Sequence, residues 1–116
     1  MSYFDCFLAA VPNDRKDDYI AHAAGFWPHF EKMGALSTAD CWGDDVPDGE
    51  LTSFPMAVKC EKGETVVFSW VEWPDKAARD AGWEKMRTDP AFAEMGEMPF
   101  DGKRMVYGGF APVFRK

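Results

Sequence analysis

At 116 residues the chain is long enough to bury one core and too short for two. Thirteen Lys and Arg against twenty Asp and Glu leave a net charge of −7, which repels phosphate backbones and anionic lipid and argues against nucleic acid and membranes as partners. A 47% hydrophobic share with 16% aromatics describes a folded globular chain, and no stretch approaches the roughly 18 continuous apolar residues of a membrane helix.

The opening MSYFDCFLAAV has no basic stretch before its apolar run and carries Asp5 inside it, so a strand over 3–11 is expected rather than a cleaved leader. Pro12, Asn13 and Asp14 break that strand and offer helix caps. From Arg15, the steps Ile20, Ala23, Trp27 and Phe30 place one face of a helix that Gly34 stops, with a kink near Gly25 imposed by Pro28. ALSTADCW at 35–42 reads as a second strand. The acidic turn GDDVPDGE follows, opening a long loop to Gly63 that suggests a lid or a dimer arm, with a helical turn near Phe54 to Lys59. TVVFSWVEW is β-branched and aromatic throughout and forms the third strand. Pro74 and Asp75 repeat the strand, proline, acid order, KAARDAGWEKM is the second long helix, and Asp89 and Pro90 start a short one ending at Gly96. MPFDGK turns the chain into a fourth strand, RMVYGGFAPVF.

The order is β-α-β twice, with halves of roughly 1–63 and 64–116 in a single domain. Two such units predict an α+β, ferredoxin-like βαββαβ sandwich: a four-stranded antiparallel sheet with its helices on one face. Alternation along the strands assigns Phe4, Cys6, Leu8, Ala39, Cys41, Val67, Val71, Val106 and Phe110 to the helix side. Tyr3, Asp5, Phe7, Thr38, Asp40, Trp42, Val66, Phe68, Trp70, Glu72, Met105 and Tyr107 then fall on the other face. That second face is too aromatic to stay wet, and a face-to-face homodimer enclosing a pocket would cover it.

Three segments, CWGDDVPDGE at 41–50, ETVVFSWVEWPDKAARD at 64–80 and MPFDGKRMVYGGF at 98–110, resemble the YbaA-like family of uncharacterised bacterial proteins. The resemblance implies a dimeric α+β barrel. Related barrels include cofactor-independent monooxygenases, lactone isomerases and haem-degrading enzymes, none of whose catalytic residues can be placed on this chain.

Asp5, Asp40 and Glu72 share the proposed open face with Tyr107 and with the aromatic wall Phe7, Trp42, Phe68, Trp70 and Met105, the candidate ligand contacts. A carboxylate in an aromatic pocket has its charged form disfavoured and can exchange a proton near neutral pH. The plain alternative is a rim position in water or an ion pair with the partner's Lys103 or Arg104, which also form a small basic patch. Asp44, Asp45, Asp48 and Glu50 depart from the calcium-loop pattern at Val46 and Pro55. Asp5, Asp40 and Glu72 would make the harder oxygen site, for magnesium or manganese, although no metal or cofactor is expected. His22 and His29 sit too far apart along one helix to share an ion and are read as surface or interface histidines. Cys6, Cys41 and Cys60 at wide spacings suit reduced cytoplasmic thiols, the first two buried and the third exposed, and Gly108–Gly109 suits a bulge or a close contact. Three functions follow: a homodimer binding a small metabolite in its barrel, a cofactor-independent small-molecule enzyme using a pocket carboxylate, or a structural, subunit-bridging protein with no ligand.

Overall fold

The structure, a computed structural model, describes residues 1–93 and 97–116. Strands β1 (Tyr3–Pro12), β2 (Ser37–Trp42), β3 (Glu64–Trp73) and β4 (Val106–Phe110) form one sheet in the order β2-β3-β1-β4, every pair antiparallel. This is the predicted ferredoxin-like topology, with the two longest strands at its centre. Helices α1 (Lys16–Lys32) and α3 (Lys76–Thr88) pack on one face. The described residues also hold the short helices α2 (Phe54–Ala57) and α4 (Pro90–Ala93); the expected end of the latter at Gly96 lies outside the described residues.

The two halves begin their helices differently. Asp75 caps α3 by accepting from the Ala78 N–H at 2.7 Å. Before α1 a 3₁₀ turn at Asn13–Arg15 takes the place of a side-chain cap, and Asn13 instead receives the Thr65 hydroxyl across the sheet. Helix α1 runs through Pro28, and Gly34, at φ 107°, ends it as expected. Its inward residues are Tyr19, Ala23, Phe26, Trp27 and Phe30, whereas Ile20, expected among them, faces outward.

The face assignment holds for β3 and is reversed for the other strands. Register puts Tyr3, Asp5, Phe7, Ala9 and Val11 beside Trp73, Val71, Ser69, Val67 and Thr65, all under the helices. Thr38, Asp40 and Trp42 share that side through β2, as does Tyr107 through β4. Phe4, Cys6, Leu8, Cys41, Val66, Phe68, Trp70, Glu72, Val106 and Phe110 take the open face. The cause lies in β1, where Ala9, Ala10 and Val11 are all buried. Val58, at 0% exposure, and Val66 cover Ala10 from the open side, so both faces of that strand are apolar and alternation carries no phase. In β2 two of the inward residues are polar yet satisfied: the Thr38 hydroxyl donates to the Trp70 carbonyl at 2.7 Å, and Asp40 accepts from Tyr19.

The loop between β2 and β3 folds back onto one end of the open face, where Val46, Val58 and Cys60 pack against Leu8, Ala10 and Val66. It covers sheet and stands away from the helix-side cavity described below. The thiols are also placed differently from expectation: Cys41 is exposed on the open face, Cys6 lies half-buried there, and Cys60 is half-buried under the loop. Burial pushes the Cys6 and Cys60 thiols up from their ordinary values, aided by Asp5 and Glu64 respectively.

Candidate functional site

Between α1 and the sheet lies a cavity of about 270 Å³. Phe7 of β1, Phe26, Trp27 and Phe30 of α1, Trp83 of α3 and Phe100 make most of its wall. The α1 spacing explains this: Tyr19, Ala23, Phe26, Trp27 and Phe30 recur every three or four residues and so share a stripe. Ala23 is the small residue in that stripe, and its lack of bulk leaves the space open. Met98, Phe100 and Met105 close the side toward β4. Their segment is pinned by Arg104, which grips Glu64 in a two-pronged pair at 2.8 and 2.9 Å, Asp101 at 3.1 Å and the Lys59 carbonyl at 2.9 Å. Arg104 is therefore committed within its own chain, not free for a partner's carboxylate. Its grip holds Glu64 down at about 2, the direct hydrogen bond being the largest cause.

Polar groups gather at one end of the cavity. The buried Tyr19 phenol donates to Asp40 Oδ1 at 2.7 Å. Ser69, opposite Asp40 in the strand register, lines the same cavity. Burial first, then the bond to Asp40, pushes Tyr19 well above its ordinary value. His22, expected at a surface or an interface, lines the same end and packs on Phe26 with ring centres 4.7 Å apart. Burial lowers its pKa and so favours the neutral imidazole, an effect that Asp40 partly opposes.

Asp5 is 3% exposed and stands on the helix side, where four donors occupy it. The indole N–H groups of Trp73 and Trp83 donate to Oδ2 at 3.0 and 2.7 Å, while Arg79 Nε and Nη2 each reach Oδ1 at 3.0 Å. A carboxylate so engaged acts as an acceptor that fixes its neighbours. One of them, Trp83, is cavity wall. A Cβ at Gly109 would come within 2.5 Å of both Arg79 Nη2 and Tyr3 Oη, which accounts for the expected close contact at the glycine pair. Arg79, Trp73 and Trp83 were not singled out from the sequence. The available signal was the four-residue spacing of Arg79 and Trp83, which puts two donors on one face of α3.

Glu72 points the opposite way. On the open face it accepts from Ser2 at 2.6 Å, Ser37 at 2.8 Å and Arg115 at 2.8 Å, and these bonds hold it down at about 2. Asp5 and Glu72 therefore cannot share an ion with Asp40. Of the other candidates, Phe7 and Met105 line the cavity, and Trp42 packs on Tyr19 just beside it, with Lys16 over its ring. Phe68 and Trp70 lie on the open face against Phe54 and Phe4, and Tyr107 is 71% exposed at the sheet edge.

A family model described as "Protein of unknown function (DUF1428)" matches residues 2–102. The chain belongs to this family. It is 55% identical over 114 residues to the Uncharacterized protein YbaA of Escherichia coli K12, and equally to that of Shigella flexneri, covering 97% of each chain in both cases. A solved structure described as a dimeric ferredoxin-like protein, from an uncultured marine organism, aligns over 100% of both chains with a TM-score of 0.59 and 13% identity, a likeness of fold. Among the described residues of this DUF1428 member, no helix is long and apolar enough to cross a membrane.

Proposed function

We propose that this family member is a single-domain homodimer of the cytoplasm that binds a small, apolar or aromatic molecule in the cavity between α1 and the sheet. One observation carries the reading: an aromatic-walled cavity of about 270 Å³ with its hydrogen-bonding groups collected at one end, the usual makeup of a small-molecule site. Dimerisation is supported by Phe68, Val106 and Phe110, which leave large apolar surface on the open face. The three free cysteines suit a reducing compartment.

Thermal-shift and calorimetric titration of the purified protein with uncharged aromatic compounds tests the binding site. A bound compound raises the melting temperature by mass action, and Ala23→Phe, which fills the cavity, abolishes the rise. No rise in the native protein, or an equal rise in Ala23→Phe, overturns the reading. Sedimentation tests the dimer: the native chain runs as a dimer and Phe68→Asp as a monomer, and a monomeric native chain removes that part.

A second reading, a cofactor-independent enzyme, is favoured by the meeting of Asp40, Tyr19 and His22 at the cavity. Conversion of a bound compound by the native protein, lost in Asp40→Asn while binding persists, separates it from simple binding.

A further inference from the structure

The polar end of the cavity is unbalanced in a way that specifies its ligand. Among the described residues, five polar side chains line the cavity, Tyr19, His22, Thr38, Asp40 and Ser69, together with two indoles, of which Trp83 has its N–H on Asp5 and Trp27 adds one donor. Thr38 has its proton on the Trp70 carbonyl and contributes little. Tyr19 has its one proton on Asp40, so its phenol oxygen offers a ligand only lone pairs. The Asp40 carboxylate is itself an acceptor, and a neutral His22 brings one acceptor nitrogen and one N–H. Ser69 supplies a single hydroxyl proton. Acceptors therefore outnumber donors, and among the described lining residues there is no lysine or arginine.

Two classes of ligand fare badly in such a place. An anion would be set beside the Asp40 carboxylate with no lysine or arginine in the lining to offset the repulsion. A hydrocarbon would cover the phenol oxygen and the imidazole acceptor without pairing them, which costs their desolvation. Size narrows the choice further, since a cavity of roughly 150 Å³ holds benzene and about 270 Å³ accommodates one or two rings.

Building on the proposed binding role, we infer that the cavity selects an uncharged one- or two-ring aromatic molecule carrying a hydrogen-bond donor, a phenolic hydroxyl or ring N–H, with that donor set against Tyr19, His22 and Asp40. The wall of Phe7, Trp27 and Trp83 takes the rings, and the acceptor-rich end takes the proton. Trp83 is held for this by Asp5.

The test is calorimetric titration of the full chain at neutral pH with three probes of one shape: 2-naphthol, naphthalene and 2-naphthoate. The expected order is 2-naphthol about tenfold or more tighter than naphthalene, the effect of roughly one net hydrogen bond, with 2-naphthoate weakest. Asp40→Asn, at an exposed residue of the edge strand β2 and with an acceptor oxygen kept for Tyr19, narrows the gap between 2-naphthoate and naphthalene. Tyr19→Phe reduces the 2-naphthol preference and leaves naphthalene affinity in place. Equal affinity for 2-naphthol and naphthalene, or tightest binding of 2-naphthoate, overturns the inference while leaving the binding role intact. Binding of none of the three, together with a silent uncharged-aromatic panel, overturns the binding role and the inference with it.

Discussion

Asp5 and Glu72 sit on adjacent strands, one register step apart, and face opposite sides of the same sheet. Asp5 is enclosed by two indoles and an arginine from α3, and its surroundings form part of a cavity wall. Glu72 is tied by two serines and a half-exposed arginine, Ser2 and Arg115 from the chain ends and Ser37 from the start of β2, on a face that leaves aromatic surface uncovered. Both are satisfied carboxylates, yet only the first is built into the candidate site. An acidic residue on a strand is thus informative only once the face and its partners are known, because the chemistry of a carboxylate depends on which donors surround it.

The contrast can be broken most severely at Asp5. Replacing it by Ala leaves two indole N–H groups unpaired and strips the half-buried Arg79 of its inner partner, with only Asp80 remaining to it, so urea unfolding is expected to show a loss of about 3–5 kcal/mol. Near-UV circular dichroism of the tryptophans should weaken even where the fold survives. A loss under about 1 kcal/mol would mean that the cluster contributes no more than a surface pair. The next effect comes from Gly82, whose added Cβ would stand 2.7 Å from Cη2 of the fully buried Trp73. Gly82→Ala should cost about 1–3 kcal/mol by overpacking, despite its better helix propensity. A gain in melting temperature would contradict the observed contact.

The smallest of the three effects is a pH dependence on the open face. Glu72 and Glu64 are each lowered from 4.5 to about 2, so folding binds fewer protons than the unfolded chain in that interval. The stabilisation is complete above about 4.5 and is lost as pH falls through about 2. Glu72→Gln should remove on the order of 1–2 kcal/mol at neutral pH, discounted for screening at Arg115, and should flatten the acid limb of the stability curve. An unchanged acid limb in both Glu72→Gln and Glu64→Gln would show that these ion pairs do not couple to folding.

Much of the architecture was legible in the residues. Strand β3 announces itself by its β-branched and aromatic run, α3 by Asp75 and helix formers, and the end of α1 by Gly34. The candidate site was legible only in part: Phe7, Met105, Asp5 and Asp40 were singled out and lie in or beside it, while His22 was read as a surface or interface residue and Tyr19, Trp27 and Trp83 were not singled out. Phe68, Trp70 and Glu72 were grouped with that site and stand on the opposite face.

By itself, the amino-acid order determined the βαββαβ succession, since local propensity, turn residues and caps act within a few positions of one another. Which face of each strand meets the helices was decided by tertiary structure. In β1 the stretch Ala9, Ala10 and Val11 is apolar on both faces, and only the docking of α1 and α3 on one side and of the 43–63 segment on the other breaks the tie. The convergence of Arg79, Trp73 and Trp83 on Asp5 was settled in the same way, by groups some 70 residues apart meeting where burial leaves a carboxylate no water to turn to.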